Sequence, residues 1–214
     1  MLPIPQILID NSFIFSIILG SIFLLGLLRA FYWKYTRLML SAPFQYRYAS
    51  QYLRQDNAFT ERVSWIAFLI LILNFSLLLI FNKSYYSFFG SYFSIFLSVA
   101  SFYLLKYLIL NFLGKMLFAE EISRLTVFYS FLSDKALGII ITPFVLILFF
   151  FAFNINHIIL PIILFFSVCL FVFKLYWIWQ VGTNSFGLSS VYIFLYLCIL
   201  EIYPFVFITK GFFY

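Results

Sequence analysis

The sequence predicts an all-α polytopic membrane protein, a bundle of about six transmembrane helices with one amphipathic helix at the membrane interface. Hydrophobic residues make up 65% of the 214-residue chain, and charged residues make up 9%. A soluble domain is about half apolar and a quarter charged, so this chain has more apolar surface than a water-soluble fold could bury. The apolar residues also form long continuous runs, whereas a membrane barrel would show short alternating segments.

Six of the apolar runs are long enough to cross a membrane. A spanning helix needs about 20 mostly apolar residues, because each residue rises about 1.5 Å through a hydrocarbon core of about 30 Å. The predicted spans cover residues 12–30, 63–81, 92–112, 137–153, 158–179 and 190–209. They fill the chain, so we predict one integral membrane domain over residues 1–214, with no sizeable soluble domain.

Basic residues concentrate in the loops that follow spans one and three. These residues are Lys34, Arg37, Arg47, Arg54 and Arg62 in the first loop, and Lys115, Arg124 and Lys135 in the second. The opposite side of the predicted bundle holds few basic residues, among them Lys83 and Lys210. Because Lys and Arg mark cytoplasmic loops, both termini are expected outside the cytoplasm.

The loop over residues 35–62 interleaves tyrosines with basic residues, a pattern that also occurs in nucleic-acid-binding proteins. Beside a membrane span, the same residue types form an aromatic belt with cations that reach the lipid headgroups. The formal net charge of +6 fits contact with anionic headgroups as well. We therefore expect the lipid bilayer as a partner, and no nucleic acid.

Residues 113–136 connect spans three and four and have an amphipathic pattern. Their apolar residues recur at near-helical spacing, with charged residues largely between them. This pattern predicts an amphipathic helix at the cytoplasmic interface, or a helix that extends span three. It would serve as a structured connector or as a surface for a partner protein.

Glu201 is a carboxylate within the last predicted span, in the stretch "LYLCILEIYPF". A charge near the bilayer centre costs about 3 kcal/mol, so such residues face the bundle interior and have partners. Lys106 in span three and Lys174 in span five are the candidate partners. A Glu201–Lys106 pair would make both charges tolerable. Proton or cation handling, or contact with a partner protein, are the alternatives.

Pro204 follows Glu201 by three residues and predicts a kink in the same helix. Small residues elsewhere recur at helical spacing and predict faces where helices pack closely. These residues are Ser91, Ser94, Ser98 and Ser101 around span three, and Ser16 and Gly20 in span one.

The sequence has no motif that would support catalysis. It lacks H-E-x-x-H, G-x-S-x-G, a Walker loop and C-x-x-C, and it has one histidine, His157. We therefore predict no metal site, no cofactor and no enzymatic activity. An enzyme acting on a lipid or polyprenyl substrate is the least favoured alternative.

The C-terminal stretch "FLYLCILEIYPFVFITK", residues 194–210, resembles the end of an uncharacterised family of multispan membrane proteins from Bacteroidota. Weaker similarity covers "FYLLKYLILNFLGKMLF" and "LGIIITPFVLIL", residues 102–118 and 137–148. The resemblance implies a multispan protein of a Gram-negative inner membrane, with Lys106, Glu201 and Pro204 at family-pattern positions. It implies no activity.

Two functions from different classes fit these observations. The first is a non-enzymatic inner-membrane subunit or accessory factor of a larger bacterial envelope complex, such as a protein secretion or gliding machinery, with other membrane or envelope proteins as partners. The second is a proton- or ion-coupled transporter that uses Glu201 with Lys106. Retention of a large partner after purification would favour the first, and loss of flux in Glu201→Gln would favour the second.

Overall fold

The computed structural model describes residues 11–54, 57–81, 92–116, 120–150 and 156–186. Over these ranges the chain forms seven α-helices and no strands, so the all-α prediction is confirmed for them. The helices are α1 (Asn11–Phe31), α2 (Trp33–Ser41), α3 (Tyr46–Arg54), α4 (Asn57–Phe81), α5 (Tyr92–Met116), α6 (Glu120–Phe150) and α7 (Asn156–Phe186).

Helices α1, α4, α5 and α6 each contain a stretch long and apolar enough to cross a membrane. The stretches are Ile14–Phe31, Ala58–Ile80, Tyr92–Phe112 and Val127–Phe150, which overlap the first four predicted spans. Helix α7 contains the shorter apolar stretch Pro161–Trp177, within the fifth predicted span. The sixth predicted span, residues 190–209, lies outside the described residues.

Helix α6 corrects the prediction of a separate interfacial helix over residues 113–136. Residues 120–136 are the first half of one helix that continues to Phe150, so this part of the predicted connector and the fourth span are a single element, whereas residues 113–116 belong to α5. No proline or glycine interrupts the helical pattern between Glu120 and Leu137. Ser130, Leu132 and Ala136 are buried among the other helices, which gives this half of α6 an interior position.

Helices α2 and α3 are short and lie at one end of the bundle, here called the basic end because α2 carries Lys34 and Arg37 and α3 carries Arg47 and Arg54. At this end α1 finishes, α4 begins, and three residues separate the end of α5 from the start of α6. Tyr52 of α3 donates a hydrogen bond to the carbonyl oxygen of Thr60 at 2.9 Å. Burial raises the pKa of the Tyr52 phenol, which keeps this donor protonated.

Helices α4 and α6 run side by side through the centre of the bundle and make a close backbone approach at Gly138. A Cβ atom built on Gly138 would lie 2.7 Å from the Cα atom of Leu71. Only a glycine leaves room for this backbone approach, as small residues do at helix contacts in membranes. The close contact fixes the separation of the two central helices.

The buried apolar residues of the described chain form three clusters, the smallest of which includes Leu71 and Tyr103. The first, at the basic end, includes Leu28, Val63 and Leu132. The second, toward the opposite end, includes Ile18, Leu77 and Val145. Asn74 lies where these two clusters meet, since Ile70 belongs to the first and Leu77 to the second.

The packing faces differ from the predicted small-residue stripes. On α5 the buried face is formed by Ile95, Val99, Tyr103, Lys106 and Leu110. Ser94 and Ser98 are half-buried beside this face, and Ser101 is exposed. Ser98 donates to the carbonyl oxygen of Ile95 in its own helix. Ser91 lies outside the described residues.

On α1 the buried residues are Ile14, Ile18, Ser21 and Leu28. Ser16 is exposed, and the position of a Cβ atom on Gly20 has no atom within 4 Å. No neighbouring helix therefore packs closely against Gly20. The buried face of α1 combines large apolar side chains with one small residue, Ser21, which donates to the carbonyl oxygen of Ile18.

Candidate functional site

Three helices bring Lys106, Asp134 and Lys174 together inside the bundle, and we call these residues the charge cluster. The Nζ atom of Lys106 on α5 lies 3.0 Å from Asp134 Oδ2 on α6. The Nζ atom of Lys174 on α7 lies 2.8 Å from Asp134 Oδ1. Each carboxylate oxygen of Asp134 thus accepts a hydrogen bond from a different lysine.

All members of the charge cluster lie within the apolar part of their helices. Lys106 and Lys174 are 7% and 4% exposed, so the ammonium groups have left water. Isolated ions at such a depth are costly, and pairing with good geometry offsets that cost. Lys106 also lies over the ring of Phe131, with Nζ 5.6 Å from the ring centroid, which adds a cation–π contact.

The sequence singles out Lys106 and Lys174 as intramembrane cations, and the structure places both on one carboxylate. That carboxylate is Asp134, which the sequence analysis does not name as a site residue. The sequence predicts that the fourth span begins at residue 137. Asp134 therefore falls within the predicted interfacial connector and not within a span. The signal that could have found it is the depth of Lys106, since a buried cation in span three requires an acid on a neighbouring helix. Glu201 and Pro204 lie outside the described residues.

Asn74 forms a polar contact between the two central helices, α4 and α6. Its Nδ2 atom donates to the carbonyl oxygen of Gly138 and to Oγ1 of Thr142, both at 2.8 Å. Asn74 is fully buried, and Thr142 also donates to the Gly138 carbonyl within α6. These bonds join α4 to α6 beside the close approach at Gly138.

Replacing Asn74 by Leu is expected to lower the free energy of unfolding by about 1 kcal/mol, the scale found for hydrogen bonds between membrane helices. Unfolding in mixed micelles by detergent titration would measure this change. Asn111→Leu is a matched control, because the half-buried Asn111 side chain makes no hydrogen bond to the described residues. Equal losses for the two variants would show that the Asn74 bonds contribute nothing specific.

Helix α7 is attached to the basic end by Trp177, one turn beyond Lys174. The indole Nε1 donates to the carbonyl oxygen of Pro43 at 2.7 Å, in the turn between α2 and α3. The rings of Phe44 and Phe173 meet edge to face with centroids 5.5 Å apart. These contacts hold α7 in the position from which Lys174 reaches Asp134.

The described residues contain no group of three or more His, Cys, Asp or Glu side chains that could hold a metal ion. Cys169, on α7, is a half-buried free thiol. What the described site offers is therefore charge pairing between helices. The prediction of no cofactor stays a prediction.

A helical bundle with paired charges inside its apolar layer defines the class of this chain as an integral membrane protein. The chain belongs to the family described as a domain of unknown function (DUF4271), which matches residues 14–212. The match covers both lysines and Asp134 of the charge cluster, together with Glu201. The searches of curated proteins and of solved structures found no match.

Proposed function

We propose that this protein is a non-enzymatic inner-membrane subunit or accessory factor of a larger bacterial envelope complex, such as a protein secretion or gliding machinery. The observation that carries the proposal is the geometry of the charge cluster. Both oxygens of Asp134 are engaged by ammonium groups from the two flanking helices. Through these two ion pairs the carboxylate links three helices, so the charges stabilise the packing of the bundle.

A bundle whose described residues contain no metal-ligand cluster and whose internal charges pair with one another fits a structural role in a complex. Because the cluster is buried, the removal of one of its members takes a charge partner away from the others inside the apolar layer, which is costly. The close approach at Gly138 and the Asn74 bonds likewise fix helix positions. Together these features support a rigid scaffold over a transporter whose helices must move to carry ions.

The orientation proposed for this scaffold places the basic end in the cytoplasm and both termini in the periplasm. The short helices α2 and α3, with their Lys and Arg residues, support this assignment through the positive-inside rule. Six spans in all, with residues 158–179 and 190–209 as the last two, are needed to return the C-terminus to the starting side. The Bacteroidota inner membrane remains our proposal for the location.

A proton- or ion-coupled transporter that uses Glu201 with Lys106 is the second candidate. The observation that favours it is the burial of Lys106 within a group of charges inside the membrane layer. Intramembrane ionisable residues commonly mark ion pathways. In this alternative, Glu201→Gln would abolish flux while the protein still folds.

A gentle pull-down of the tagged chain from its native inner membrane, followed by mass spectrometry, tests the proposed function. We expect a large envelope protein in stoichiometric amount. Glu201→Gln serves as the matched variant, and it should retain the same partner if the residue is packed and not catalytic. A chain that is recovered alone, or with itself only, would contradict the subunit proposal.

A further inference from the structure

A cavity of about 620 Å³ lies between α4, α5 and α6 toward the basic end of the bundle. Its walls are almost entirely apolar and aromatic, with Phe68, Tyr103 and Phe131 among them. The polar groups at the cavity include those of Lys135 and Ser64. Cavities of this size with apolar walls and a few placed polar groups are typical of ligand sites.

The cavity opens through the side of the bundle. Trp65, Leu104 and Tyr107 line it and are 62%, 61% and 49% exposed. All three belong to stretches that are long and apolar enough to cross a membrane. In a bilayer, these side chains face lipid, so a lipid molecule can reach the cavity without entering water.

Lys135 differs from the two lysines of the charge cluster because no carboxylate among the described residues pairs with it. Its ammonium group donates to Ser64 Oγ and lies 5.9 Å from the ring centroids of Phe68 and Phe131. The neighbouring carboxylate of Asp134 is held by Lys106 and Lys174. A cation within the stretch Val127–Phe150 is therefore positioned for an anionic group.

We propose that the cavity binds an anionic phospholipid from the leaflet at the basic end. One acyl chain lies against the aromatic wall, and the phosphate meets the Lys135 ammonium and the Ser64 hydroxyl. Helical side chains lean toward the helix N-terminus, so the Lys135 stem points toward the basic end, where headgroups lie. Basic pockets between transmembrane helices commonly hold phosphate headgroups. The inference is independent of the proposed function.

The test uses the full-length protein in nanodiscs that contain phosphatidylglycerol or phosphatidylcholine with the same acyl chains, with bound lipid measured by native mass spectrometry. Lys135→Gln is expected to reduce retention of phosphatidylglycerol about tenfold, the scale of a lost hydrogen bond to a charged group. Lys34→Gln is the matched control, because Lys34 is exposed on α2, and it should change retention by about twofold at most.

Ala100→Phe provides a second variant that keeps Lys135 and fills the apolar part of the cavity, where Ala100 is a lining residue. It should also displace the lipid, and it tests the site if Lys135→Gln does not fold. Equal retention of the two lipids by the wild-type protein would overturn the proposal, as would equal effects of Lys135→Gln and Lys34→Gln. A photocrosslinker at Leu104 that captures a protein instead of lipid in native membranes would also overturn it.

Discussion

Asp134→Asn is expected to lower the free energy of unfolding by about 3–5 kcal/mol, the scale for breaking a buried ion pair. The substitution preserves the shape of the side chain but removes a negative charge that pairs with both Lys106 and Lys174. Two buried ammonium groups then face a neutral amide. Three helices share this contact, so we expect the loss to spread across α5, α6 and α7.

Detergent titration of the purified protein in mixed micelles, followed by tryptophan fluorescence, would measure the effect of Asp134→Asn. Glu61→Gln is the matched control, because Glu61 is an exposed carboxylate near the start of α4. An exposed charge contributes about 0–1 kcal/mol, so this control should change little. Similar unfolding midpoints for the two variants would refute the structural importance of Asp134.

Gly138→Ala is expected to produce the second largest loss, about 1–3 kcal/mol, because the added methyl group overpacks the contact between α4 and α6. The new Cβ atom would lie 2.7 Å from the Cα atom of Leu71, and a backbone atom cannot move aside as a flexible side chain can. The helices must separate, which would also stretch the hydrogen bond from Asn74 to the Gly138 carbonyl.

The same titration checks this prediction, with Gly20→Ala and Gly26→Ala as controls in another apolar helix. The corresponding Cβ positions have no atom within 4 Å, so alanine fits both. These controls should be neutral or slightly stabilising, since alanine favours helix more than glycine does. If Gly138→Ala behaves as they do, the close approach is not important for stability.

The helical character of the bundle could be predicted from the sequence because it follows from hydrophobicity summed over long windows. Positions that depend on pairing between helices could not. Asp134 illustrates the difference: its neighbours in sequence suggest an interface, whereas its burial depends on the helices that pack around it. The close approach at Gly138 could not be predicted either. A glycine in an apolar run has the same sequence context whether it packs against the backbone of another helix or faces lipid.

The predicted small-residue stripes illustrate the same difference. Ser16 and Gly20 recur at helical spacing in α1, as Ser98 and Ser101 do in α5, but spacing determines only which residues share a face. It does not determine whether that face meets another helix or lipid. In a membrane, both environments are apolar, so hydrophobic patterning does not separate them as it does in a soluble protein. Lys106 could be predicted as an interior residue because charge, unlike size, is costly on the lipid side.

The central claim is that the chain is a subunit of a larger complex and that its intramembrane charges serve the packing of its own helices and not the binding of the partner. The measurement that tests it most directly is the pull-down from native membranes repeated with the variant Lys106→Met/Asp134→Leu/Lys174→Met/Glu201→Leu. Replacing a whole buried charge group by apolar residues is often neutral or stabilising, so this variant should fold. We predict that it retains the same stoichiometric partner as the wild-type chain. A variant that folds but has lost the partner would contradict the claim.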